Sequence, residues 1–139
     1  MKKAFSLLEL IFTISIVAII ALVAIPKLSN SLEKTNILKF KSDIAAIREG
    51  LSIYKRSFIL KGEPLSSLDS LDIDEKLFKK VINYTILSSS KSGSWEKLSN
   101  SKYKAWISSR DFVEFSYDKN YFLFDCDLKS SKYCLELLQ

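Results

Sequence analysis

Glu9 is the residue with the most chemistry to explain. It stands in an apolar run that reads Phe5-Ser-Leu-Leu-Glu9-Leu-Ile-Phe12 and continues to Ile25, where Thr13 and Ser15 are the polar interruptions. An ionised carboxylate in so apolar a segment costs about 2.5–3.5 kcal/mol on the mildest insertion scales, and an intramembrane carboxylate is by default a functional group. The other candidates carry less. Cys126 and Cys134 enclose the loop 127–133 near the C-terminus, either as a disulfide, if the segment is exported, or as two free thiols. Two cysteines in a chain with no His make a poor metal site, because thiolate sites normally take four such ligands. The acidic cluster Asp69, Asp72, Asp74 and Glu75 lacks the alternating ligands and turn glycine of a calcium loop, and reads as a helix cap plus a solvated face. There is no Gly-rich phosphate loop and no nucleophile beside a base. The expectation is a structural protein with no catalytic residues, metal or cofactor.

The elements that would position these residues follow from periodicity. As a helix, Phe5 to Ile25 spans about 31 Å, one hydrocarbon core. Lys2 and Lys3 precede it, so the positive-inside rule keeps the N-terminus cytoplasmic and sends the rest outward. In a bacterium that compartment is the periplasm, where a Cys126–Cys134 bond would persist; closing nine residues is worth about 2.5 kcal/mol. Pro26 then marks either a kink or the exit from the bilayer. Ile37, Phe40, Ile44, Ile47, Leu51, Tyr54 and Phe58 recur at steps of three and four, a continuous helical stripe with Asp43 and the basic residues mostly off it. One long helix is expected from near Phe5 to near Ile59, ended by Gly62-Glu-Pro64.

Beyond it, a short helix is expected from Asp74 as N-cap to Val81, and an exposed loop over Ser88 to Asn100 around Trp95. Period two then takes over: Val113, Phe115 and Tyr117, a turn at 118–120, and Tyr121 to Phe124 predict a β-hairpin, with 102–107 as a third antiparallel strand. The fold class expected is α+β, a long N-terminal helix packed on a small antiparallel sheet.

Composition sets the scale. The chain has 139 residues, enough for one anchor and one small domain. Its formal charge of +5 falls to +3 without Lys2 and Lys3, too mild to argue for nucleic acid. A basic face with Lys39, Arg48, Lys55, Arg56 and Lys61 could touch DNA, but solvated helix charges explain it equally. A secretory signal peptide fits poorly, because the best site, Ala24, has Leu22 two residues before it and Pro26 two after.

Lys2-Lys3, the small Ala4 and then Phe5-Ser-Leu-Leu-Glu9 resemble the class III leader of type IV pilins and type II secretion pseudopilins. The resemblance is specific over about the first 30 residues and architectural beyond. It implies that a prepilin peptidase cuts between Ala4 and Phe5 and methylates the new N-terminus. The family usually carries Gly where this chain has Ala4, which is still small enough for a tight peptidase site. The resemblance further implies a leader (1–4), a transmembrane and assembly helix (5–26) and a periplasmic head (27–139). Within the head are expected an amphipathic helix (27–60), a loop with a short helix (61–100), antiparallel strands (101–126) and a C-terminal loop (126–139). Phe5, Glu9 and Pro26 would be the assembly residues, with the amine of Phe5 in one copy meeting Glu9 of a neighbour. Implied partners are the peptidase, further copies or other pseudopilins, and an inner-membrane assembly platform. Many members close a C-terminal loop with a disulfide. Some major pseudopilins bind calcium there, where Asp125 and Asp127 flank Cys126. The expected function is a pseudopilus subunit for secretion. The alternatives are a DNA-uptake or type IV pilus subunit and a membrane-tethered periplasmic binding module.

Overall fold

The computed structural model describes residues 6–62, 68–129 and 131–139. The fold is α+β, a long N-terminal helix, α1 (Leu7–Lys61), packed on a small antiparallel sheet. The chain divides into two compact units, Met1–Lys34 and Thr35–Gln139.

In the first unit every large apolar side chain from Leu7 to Leu32 is exposed. A helix apolar on all sides needs an apolar surrounding, and α1 is long and apolar enough to cross a membrane once. Its hydroxyls suit such a medium: Thr13 Oγ1 donates to the Leu10 carbonyl and Ser15 Oγ to the Ile11 carbonyl, each at 2.8 Å. A hydroxyl bonded to its own helix presents no unsatisfied donor.

In the second unit the expected stripe turns inward. Ile37, Phe40, Ile44, Ile47 and Leu51 are buried, while Tyr54 and Phe58 are half-buried. Gly62, at φ 65°, takes the left-handed conformation that ends helices. The stripe belongs to a core shared with two antiparallel sheets. One pairs β1 (Lys76–Leu77) with β2 (Ile86–Leu87). The other runs in the order β3 (Trp95–Lys97), β4 (Lys102–Trp106), β5 (Phe112–Asp118), β6 (Leu123–Cys126). Tyr103 stands opposite Phe115, Ala105 opposite Val113, and Tyr117 opposite Phe124, all facing the core. Trp95 is the centre, with the rings of Phe40, Phe78 and Phe115 at 5.1, 5.2 and 5.4 Å in edge-to-face geometry. The expected hairpin and third strand are β5, β6 and β4.

Three expectations fail. No helix starts at Asp74: Ile73 and Lys76 exchange both backbone hydrogen bonds across a two-residue turn, and the strand β1 follows. Asp74 and Phe78 have φ of 53° and 58°, a left-handed backbone that no α-helix contains. The stretch around Trp95 is not an exposed loop, because burying the whole indole between α1 and β5 outweighs the local Ser-rich preference. The C-terminal loop contains a helix, α2 (Lys132–Leu138), whose N-cap Ser131 accepts from the Tyr133 amide at 3.2 Å and which buries Cys134 and Leu137.

Gly50 answers to packing. A Cβ at this position would fall on the Val81 carbonyl oxygen, so only glycine lets that strand of chain lie against α1. Both edges of the four-stranded sheet are met by the chain's own groups. On β6, Arg48 Nε donates to the Phe124 carbonyl at 3.1 Å, and the Cys126 amide donates to Asp125 Oδ1 at 2.9 Å. On β3, the Ser89 amide donates to the Trp95 carbonyl at 2.8 Å, and the Lys97 amide to Ser88 Oγ at 3.0 Å.

Candidate functional site

Three features could carry function: the carboxylate in the apolar helix, the buried carboxylates of the second unit, and the disulfide. Ala4 and Phe5, the expected cleavage pair, lie outside the described residues, as do Lys2, Lys3 and Pro64.

Glu9 occupies the first turn of α1, where the helix dipole favours a negative charge by roughly 0.3–1 kcal/mol. That is well short of the insertion cost of a carboxylate in hydrocarbon. The side chain is exposed, and among the described residues it has no hydrogen-bond or ion-pair partner. Pro26 lies within α1. With no amide hydrogen to give, it leaves the Leu22 carbonyl without its helical donor and makes this the weakest turn of the apolar stretch.

Asp43 and Asp72 are the buried charges that the sequence reading missed. Asp43, on the core side of α1, accepts from Trp95 Nε1 at 3.0 Å and from the Tyr84 hydroxyl at 2.8 Å. Asp72 accepts from the Phe78 amide at 2.9 Å and the Tyr103 hydroxyl at 3.1 Å, and pairs with Lys97 Nζ at 2.8 Å. It is therefore not part of a solvated acidic face. The Phe78 amide and the left-handed turn turn its carboxylate inward. Burial, then the Asp43 hydrogen bond and charge, push the Tyr84 phenol up to about 12. Burial, then the Asp72 charge and hydrogen bond, push Tyr103 well above the usual phenol range. Both phenols thus stay protonated donors over any ordinary pH, which suits cross-braces between α1, the β1 segment and the sheet. Asp43 was legible: it falls three residues after Phe40 and four before Ile47, on the stripe itself. Asp72 carried no such signal, since its side-chain partners Lys97 and Tyr103 come from distant strands.

Cys126, at the end of β6, and Cys134, in α2, form a disulfide with Cα atoms 5.9 Å apart. Asp125 and Asp127 are exposed, and Asp125 faces Arg48 at 3.3 Å. The basic face of α1 divides in two. Lys39 Nζ donates to the Gly93 carbonyl, and Arg48 is held by β6, whereas Lys55, Arg56 and Lys61 are exposed and free of partners among the described residues. No family model, curated protein or solved structure matches the chain.

Proposed function

We propose that the chain is a structural subunit of a pilus-like filament of the type II secretion kind. In this reading a prepilin peptidase cuts between Ala4 and Phe5 and N-methylates Phe5. The precursor waits in the bacterial inner membrane as a single span, N-terminus cytoplasmic and 27–139 periplasmic. Assembly then stacks the helices, with the platform and further copies as partners. One observation carries the reading: Glu9 sits exposed on an apolar helix with no partner among the described residues, so in an apolar surrounding its charge calls for compensation that the described residues do not supply. The amine of Phe5 in a neighbouring copy, largely protonated at neutral pH, is the matching group. Such a pair sets register more than stability, because desolvation offsets much of the attraction. The Cys126–Cys134 bond agrees with a head exported to an oxidising compartment.

The test is Glu9→Ala in the native host, read as membrane insertion and as filament formation. Normal insertion with assembly lost is the expected result. A chain that forms no filament and whose function is untouched by Glu9→Ala, or a recovered chain that still begins at Met1 in cells with an active peptidase, points instead to a tethered periplasmic module. The DNA-uptake reading keeps only the half of the basic face without described partners, since Lys39 and Arg48 are engaged within the head. Secretion and transformation assays in a deletion strain separate the two.

A further inference from the structure

The head carries two exposed apolar surfaces with unpaired charges of opposite sign, and they complement each other. The first is on the outer side of α1. Ile53, Arg56 and Leu60 follow one another at helical spacing, on the side opposite the buried Leu51 and the half-buried Tyr54 and Phe58. Leu60 is 87% exposed, the most exposed large apolar side chain among the described residues. Arg56 beside it has no described partner. The second is a cleft of about 620 Å³ whose exposed apolar walls are Leu87 and Leu98, over the buried Leu77, with Asp74 and Glu75 also lining it. That volume falls in the range of true binding clefts. Lys97 also lines it, but its ammonium is held by Asp72, so the free charge in the cleft is acidic. Asp74 and Glu75 are exposed and have no described partner.

We infer that the Ile53–Arg56–Leu60 ridge of one copy docks in the cleft between Leu87 and Leu98 of the next, with Arg56 against Asp74 and Glu75. This rests on the filament reading and names the head surfaces that would meet. A second copy is the occupant favoured by charge, because the same chain supplies a cationic apolar ridge and an acidic apolar cleft. Copies joined this way use side chains, and on each edge of the four-stranded sheet two backbone groups are already engaged from within the head. Ridge and cleft are different patches, so the contact is head-to-tail and propagates as an open chain, not a closed pair.

The experiment is charge reversal in the full chain, expressed in its native host. Multimers are measured by crosslinking intact cells, and folding is checked by thermal melting. Arg56→Glu and Glu75→Arg alone should each lower the multimer fraction by about tenfold, as a like-charge contact worth one such step would. The double variant should return to within about twofold of the original. Leu60→Ser, which keeps every charge, should also lower it. Single variants that assemble normally, or a double variant that fails to recover while melting normally, overturn the docking and leave the filament reading intact. If the unaltered chain itself forms no multimers, the filament reading fails and the docking fails with it.

Discussion

Glu9 and Asp72 are both carboxylates among apolar neighbours, and the chain treats them in opposite ways. Asp72 is enclosed by an amide, a phenol and an ammonium from three parts of the head. Glu9 has none of these among the described residues. The difference separates a carboxylate satisfied within its own unit from one left without a partner among the described residues. In the proposed filament it would also place stability and association in different residues, separable by mutation.

The sharpest break would come from Asp72→Ala. Lys97 and the Phe78 amide would lose their partner inside the head, at a cost of about 3–5 kcal/mol, read from urea unfolding of the full chain in detergent. In the same assay Glu9→Ala should stay within about 0.5 kcal/mol, since nothing described depends on it. Equal losses at the two positions would erase the distinction. Next in size is Gly50→Ala. Elsewhere in a helix this change gains about 0.5–1 kcal/mol, but here the new methyl meets the Val81 carbonyl, and a net loss of about 1–3 kcal/mol is expected. A gain would mean that the head yields where its packing looks tightest.

The smallest effect has the opposite sign. The Tyr117 hydroxyl is buried with no hydrogen-bond partner among the described residues, so Tyr117→Phe should stabilise by about 1 kcal/mol. Burial, then the neighbouring Tyr54, Asp118 and Asp69, push this phenol up to about 12, above its ordinary value near 10. The fold therefore favours the neutral phenol. That contribution is full below pH 10 and is lost as pH rises through about 12. The advantage of Phe should widen over that window in unfolding midpoints taken against pH. A gap that stays constant would mean that Tyr117 ionises as freely in the folded chain as in the unfolded one.

Long elements were legible in the sequence because they repeat their signal. The stripe from Ile37 to Phe58 and the alternation in 113–117 each state one instruction several times, and α1, β5 and β6 follow it. Short elements state it once. Trp95 sits in a strand of three residues that follows a Ser-rich run, too brief for any period, and only the distant rings of Phe40, Phe78 and Phe115 decide its burial. Asp74 has the side chain of a good N-cap, but its backbone is drawn into a tight turn by the Ile73–Lys76 bonds. The carboxylate of Glu9 stood out from composition alone. Asp43 was marked only by its place on the stripe and Asp72 by nothing local, their partners lying 41 and 52 positions away for Asp43 and 31 for Asp72.

The clasp of Arg48 on β6 has a further consequence at high concentration. Heads held at one surface, or massed inside a cell during synthesis, meet one another far more often than dilute molecules do. A bare strand at the border of a sheet would then seed cross-β aggregation, in which copies zip together irreversibly. With the Phe124 carbonyl and the Cys126 amide already engaged, crowding can raise the rate of encounters between copies without turning them into an insoluble deposit.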